Sequence, residues 1–101
     1  MKNWELYKDK LKELSKSLEA TLSGLDVEFE LKTPDSEDFE KSFKVPYLLL
    51  KYYIDEDHFR ERKIELFEYY LTNPLEETVS LIRDMVEEFL MEIDQSEYGG
   101  G

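Results

Sequence analysis

The side chains best able to do chemistry here are few, and they form no known constellation. His58 is the single histidine. With Asp55 and Asp57 it could offer one nitrogen and two carboxylates to a metal ion. The spacing matches no ligand motif, however, and a solvated histidine in an acidic turn is the plainer reading. The absence of cysteine removes a thiolate nucleophile, a cysteine zinc site and a disulfide framework together. Ser15, Ser17, Ser23, Ser36, Ser42, Ser80 and Ser96 supply hydroxyls, but one histidine leaves little to activate them, and no glycine-flanked nucleophile elbow is present. Gly24 is the one glycine before the terminal run, which excludes a glycine-rich phosphate loop. Asp35, Glu37, Asp38 and Glu40 lack the fixed oxygen spacing of a calcium loop.

Carboxylates are abundant, with 25 acidic residues in 101. Some pairs must lie close together, so proximity alone says nothing about acid–base work, which needs a cleft that drives two pKa values apart. The sequence therefore assigns no catalytic residue, no metal ligand and no cofactor.

What the carboxylates do set is the field. The formal net charge is −12, and it is uneven. Residues 1–24 carry five lysines against four acids, and residues 41–73 carry six of each sign. Residues 25–40 carry seven acids against Lys32, and residues 74–101 carry eight against Arg83. Direct contact with nucleic acid or an anionic membrane surface is disfavoured, because such a field repels phosphate. A basic protein partner fits it. The candidate binding residues are Glu76, Glu77, Asp84, Glu87, Glu88 and Glu92 in the last segment, with Asp35, Glu37, Asp38 and Glu40 in an acidic loop. Tyr52 and Tyr69 join them from a tyrosine-rich stretch, since a small core cannot hide every ring and tyrosine suits a surface that is apolar and hydrogen-bonding at once. Arg60, Arg62 and Lys63 form the one tight basic cluster, with Glu61 and Glu65 interleaved, so pairing within the domain is expected of it.

The elements that must position these residues follow from periodicity. Trp4, Tyr7, Leu11, Leu14, Leu18, Leu22 and Leu25 recur at threes and fours, a helical stripe that ends at Ser23-Gly24. Val27, Phe29 and Leu31 alternate with charged residues, as in a half-buried strand. A turn-rich acidic loop, Thr33 to Asp38, leads to a second apolar run through Pro46 to Ile54. It reads as a strand, with Pro46 demanding an edge, bulge or break, and a helix starting near Pro46 as the alternative. Asp55-Glu56-Asp57 is a turn. Phe59 to Leu71 mixes strand and helix formers and is read as a strand. Asn73 caps the last helix with Pro74 at its first position, and Glu76 and Glu77 lie in the first turn, where negative charge is favoured. Leu75, Val79, Ile82, Val86, Phe89 and Ile93 form its stripe, widened by Leu81, Met85 and Leu90.

The expected fold is α+β: helix-strand-strand-strand-helix, with two helices packed on one face of a small antiparallel sheet. A single domain over residues 1–96 and a flexible tail over 97–101 follow from the length and the terminal glycines. The order resembles, in topology alone, that of double-stranded-RNA-binding domains. Those need basic residues at the start of the last helix, where this chain has Glu76 and Glu77, so the function does not carry over. The start of the chain shows no secretory leader, and the longest fully apolar run is Tyr47 to Leu50. A cytoplasmic protein without a membrane segment is expected. Together these features indicate a non-catalytic interaction domain that binds a basic or nucleic-acid-binding protein, as an inhibitor of the anti-defence or immunity type that mimics nucleic acid. The alternatives are a small structural or assembly subunit that dimerises through its first helix or its sheet, and a small enzyme without a recognisable motif.

Overall fold

The leucines of the first segment turn inward together. In a computed structural model that describes the backbone of residues 4–99 and the side chains of residues 4–94, a 3-10 turn over Trp4–Tyr7 leads into helix α1, Lys8–Thr21. Trp4, Leu11, Leu14, Leu18 and Leu22 are buried, and Tyr7 and Leu25 pack against them. Lys8, Lys12, Glu13, Lys16 and Glu19 face solvent. The domain's own core takes up the stripe. The stop is not a left-handed glycine, for Gly24 has no positive φ. Instead Leu22 caps the helix, its N–H donating to the Leu18 carbonyl at 2.8 Å, and the Leu25 N–H then donates to the Leu22 carbonyl at 3.0 Å as the chain turns into the sheet.

Three strands follow, β1 (Glu28–Lys32), β2 (Tyr47–Tyr53) and β3 (Phe59–Glu65), in a sheet of order β1-β2-β3 with both pairings antiparallel. The register sorts the side chains into two faces. Phe29 pairs with Leu50 and Leu31 with Leu48 across β1 and β2, while Leu48 pairs with Ile64 and Leu50 with Arg62 across β2 and β3. This face meets the helices: Leu48, Leu50, Ile64 and Leu66 share one core with Leu14, Leu18, Ile82, Val86 and Phe89. The other face carries Glu28, Glu30 and Lys32 of β1, Tyr47, Leu49, Lys51 and Tyr53 of β2, and Phe59, Glu61 and Lys63 of β3, since neighbours along a strand point to opposite sides.

A short helix α2 (Glu68–Thr72) and a long helix α3 (Leu75–Gly99) complete the chain. The helix α3 runs beside α1 in the same direction. The Lys10 Nζ donates to the Asn73 carbonyl at 3.0 Å at one end, and further along Ser17 and Thr21 flank Leu75, Val79 and Arg83. The expected α+β order and the two helices on one sheet face are thus observed.

Several local expectations are corrected. The strand read over Phe59–Leu71 holds only to Glu65; the buried Leu66 makes one last bond in register, its N–H donating to the Pro46 carbonyl at 2.8 Å, but Pro46 has no N–H to return it, and Glu68 to Thr72 coil into α2. That helix is too short to satisfy its own carbonyls. The buried Thr78 hydroxyl of α3 reaches back and donates to the Tyr70 carbonyl at 2.6 Å. Pro46 breaks the second apolar run, so β2 begins at Tyr47 and Phe43 lies in the preceding loop; the helical alternative there does not form. Pro74, rather than Asn73, takes the cap position of α3, its carbonyl accepting from the Thr78 N–H at 3.2 Å. Leu81 does not widen the buried stripe but is 40 % exposed. Apart from these corrections, α3 is helix to Gly99, and residues 100–101 lie outside the described residues. No helix among the described residues is long and apolar enough to cross a membrane.

Candidate functional site

The acidic residues of α3 divide into two groups by what they touch. Glu92 accepts from the guanidinium of Arg62 on β3, and that guanidinium also lies 5.3 Å from the centre of the Phe89 ring. Glu87 accepts from Arg83 one turn earlier at 3.0 Å. Among the described residues no cation pairs with Glu76, Glu77, Asp84 or Glu88. Glu76 sits on the shoulder facing α1, beside Ser17 and Thr21. Glu77, Asp84 and Glu88 fall on a separate line with Leu81 and Met91. The successive spacings 77, 81, 84, 88 and 91 are four, three, four and three, so the five side chains form one solvent-facing stripe. It runs about 21 Å along the helix at 1.5 Å per residue. Leu81 and Met91 are 40 % and 60 % exposed within it.

The acidic loop lies elsewhere. Its Asp38 binds Lys32 of β1 at 2.7 Å, and its Glu40 accepts from Lys63 of β3. Both lysines project from the sheet face that the helices leave open, so Asp38 and Glu40 lie across the sheet from the α3 acids, while Asp35 lines a recess with Lys8 and Leu11 of α1. The structure does not bring the two groups into one site. Lys32 holds the Asp38 carboxyl below its ordinary range, and Lys63 does the same for Glu40. In return Asp38, then Glu30, raises Lys32, and Glu40 raises Lys63. Asp35 and Glu37 are exposed, with Asp35 accepting from the Thr33 hydroxyl inside the turn.

The tyrosines separate likewise. Tyr52 is half-buried on the helix-covered face and packs against the core. Tyr69 is 55 % exposed on α2, its ring 4.1 Å from that of Tyr70, whose hydroxyl pKa is raised chiefly by the hydrogen bond to Tyr69. One stands at the hairpin end of β2 and the other past the opposite end of the sheet. Exposed apolar groups that sequence reading missed include Leu6 before α1, Leu81 and Met91 on α3, and Ile54 and Phe59 at the β2–β3 hairpin, where Tyr53 of the tyrosine-rich stretch is exposed beside them. Their apolar types resemble core residues in sequence, and only the observed phase of each element turns them outward.

Among the described residues no group of three or more His, Asp or Glu side chains could hold a metal ion. His58 Nδ1 lies 2.9 Å from Asp55, whose same oxygen accepts the N–H groups of Asp57 and His58 at 2.8 and 2.9 Å. This is a turn held by its own aspartate, and these contacts, led by His58, hold the Asp55 carboxyl low. A recess of about 440 Å³ opens where α1 meets β1, lined by Glu19, Leu22, Leu25, Val27, Glu28, Phe29 and Glu30 with Ser23. The Ser23 hydroxyl donates to the Ala20 carbonyl at 2.9 Å, so its proton is engaged in finishing the helix. Comparison of the chain with protein-family models, curated proteins and solved structures returns no match.

Proposed function

We propose that the chain is a non-catalytic interaction domain that presents the α3 stripe to a basic protein, of the kind that itself binds nucleic acid, and so acts as an inhibitor of that protein. One observation supports this reading: among the described residues no cation pairs with Glu77, Asp84 or Glu88, which share a line with the exposed Leu81 and Met91. A helix surface that serves only solubility mixes charges of both signs and keeps large apolar groups inward. A stripe of uncompensated carboxylates around two apolar contacts instead complements a surface of lysines and arginines with apolar stems between them. A second copy of the chain fits poorly, since pairing stripe to stripe would set carboxylate against carboxylate.

The test begins with capture of partners on the immobilised protein at low and high salt, followed by surface-plasmon kinetics of the captured basic protein. Asp84→Lys with Glu88→Lys should slow association at least about tenfold at low salt. Leu81→Ser with Met91→Ser should instead hasten dissociation, because it removes apolar contact rather than steering. Unchanged kinetics in both variants would reduce the stripe to a solvated face. Recovery of nothing but further copies of this chain would favour the structural subunit.

A further inference from the structure

Neighbouring antiparallel strands can be joined by a turn of a few residues, yet β1 and β2 are joined by residues 33–46, which double back over the open face of the sheet. The link is fastened to all three strands. Asp38 binds Lys32 of β1 at 2.7 Å; the rings of Phe39 and Phe43 lie 5.2 and 4.7 Å from that of Tyr47 on β2; Glu40 accepts from Lys63 of β3. The Glu40 N–H also donates to the Tyr47 hydroxyl at 3.1 Å, and Tyr47 is only 2 % exposed beneath this cover. Phe39, Phe43 and Tyr47 stand apart from the core cluster that joins the helices to the other face.

We propose that residues 36–44 are a strap that opens as a unit while the sheet, the helices and the buried Val45 and Pro46 stay in place, uncovering Tyr47 and joining it to the row of Leu49, Lys51 and Tyr53 along β2. Among the contacts that hold it down are a satellite cluster and two ion pairs whose carboxylates face solvent, and such pairs are weak singly and screened by salt. Opening therefore breaks little that the rest of the domain depends on, which is the condition for local rather than global unfolding. It also changes the character of the face. An acidic cover is replaced by an aromatic surface, with Lys63 released onto it and Lys32 still held by Glu30 of β1 at 2.8 Å. This device is independent of the partner proposed for α3.

Native-state hydrogen exchange on the intact chain tests it. The reporting amides are Phe39, Glu40 and Phe43, whose N–H groups donate to Ser36, Tyr47 and Glu40 respectively. Their exchange should quicken about tenfold between ~0.05 M and ~0.5 M sodium chloride, and by a similar factor in a Lys32→Gln, Lys63→Gln variant at low salt. The amides of Leu18, Leu50 and Val86 should stay as protected as before in both experiments. Strap amides that are indifferent to both changes, or that exchange only in step with Leu50 and Val86, would overturn the proposal.

Discussion

Arg62 and Lys63 are neighbours on β3 whose side chains leave the sheet on opposite faces, each to meet a carboxylate from a distant acidic segment. Arg62 meets Glu92 of α3 on the helix side, and Lys63 meets Glu40 of the strap on the open side. Alternation along one strand thus fastens two segments that the chain separates widely. The two contacts differ in what lies beneath them. The Arg62 guanidinium covers Phe89, a core residue, whereas Lys63 lies over Phe43, which belongs to the strap.

Global stability should therefore respond to the first and hardly to the second. Arg62→Ala is expected to lower unfolding free energy by about 1 kcal/mol, through lost cover over Phe89 and a partly exposed ion pair. Lys63→Ala is expected to change it by less than ~0.5 kcal/mol. Urea denaturation followed by circular dichroism measures both. Equal losses would mean that the strap and the core unfold as one unit.

The strap also carries a pH prediction. Asp38 and Glu40 have carboxyl pKa values lowered in the folded chain by Lys32 and Lys63. Through that window the unfolded or open strap binds more protons than the closed one. The contribution is then fully present above the ordinary carboxylate range and is lost as pH falls through the lowered folded values. Lys32 and Lys63 are raised, so their contribution is present below the ordinary lysine value and lost as pH climbs through the raised ones. Closure should hold across neutral pH and fail first on acidification below about pH 4. Ring-proton shifts of Phe43 and Tyr47 should then move toward unstructured values while methyl signals of Leu18 and Val86 keep theirs. Strap and core signals that move together would contradict a separately held strap.

What could be read from the sequence was whatever repeats locally. Leu11, Leu14 and Leu18 or Ile82, Val86 and Phe89 each satisfy one helical period, and Phe29 and Leu31 satisfy a period of two, so their elements and buried faces were legible. The end of β3 was not, because Phe59–Glu65 and Glu68–Thr72 carry similar residues and only the burial of Leu66 divides them. Leu81 was misplaced because it neighbours Ile82 in sequence but stands about 100° away around the helix. The Lys63–Glu40 and Arg62–Glu92 pairs bridge 23 and 30 positions and leave no local trace. The first of these fastens the strap to the sheet, a tie its local sequence does not carry.

The Leu81 correction can be checked directly. Ile82→Ala should lose about 2–5 kcal/mol of stability, as expected for a fully buried side chain with little room to collapse. Leu81→Ala should stay within about 0.5 kcal/mol of the parent. A loss at Leu81 comparable with that at Ile82 would return it to the core and deprive the α3 stripe of an apolar contact.

The charge on that stripe makes the last prediction. Asp84 and Glu88 stand one turn apart, and Glu88 stands one turn before Glu92, so each pair repels at a spacing where opposite charges would attract. Glu88→Lys converts both pairs at once. It places a lysine four residues after Asp84, the favourable order along a helix, and leaves Glu77 in the first turn, where its charge is welcome. The variant should be more stable by about 0.5 kcal/mol, which at this length raises the melting temperature by ~2–4 °C. Added salt should raise the parent's melting temperature and narrow the gap, since screening relieves the same repulsion. If the carboxylates serve to hold a cationic partner, the stabilised variant must also bind that partner more slowly and more weakly. A variant that melts higher and binds as well as the parent would show that α3 keeps its charge for no purpose in recognition, and the proposed function would lose the observation on which it stands.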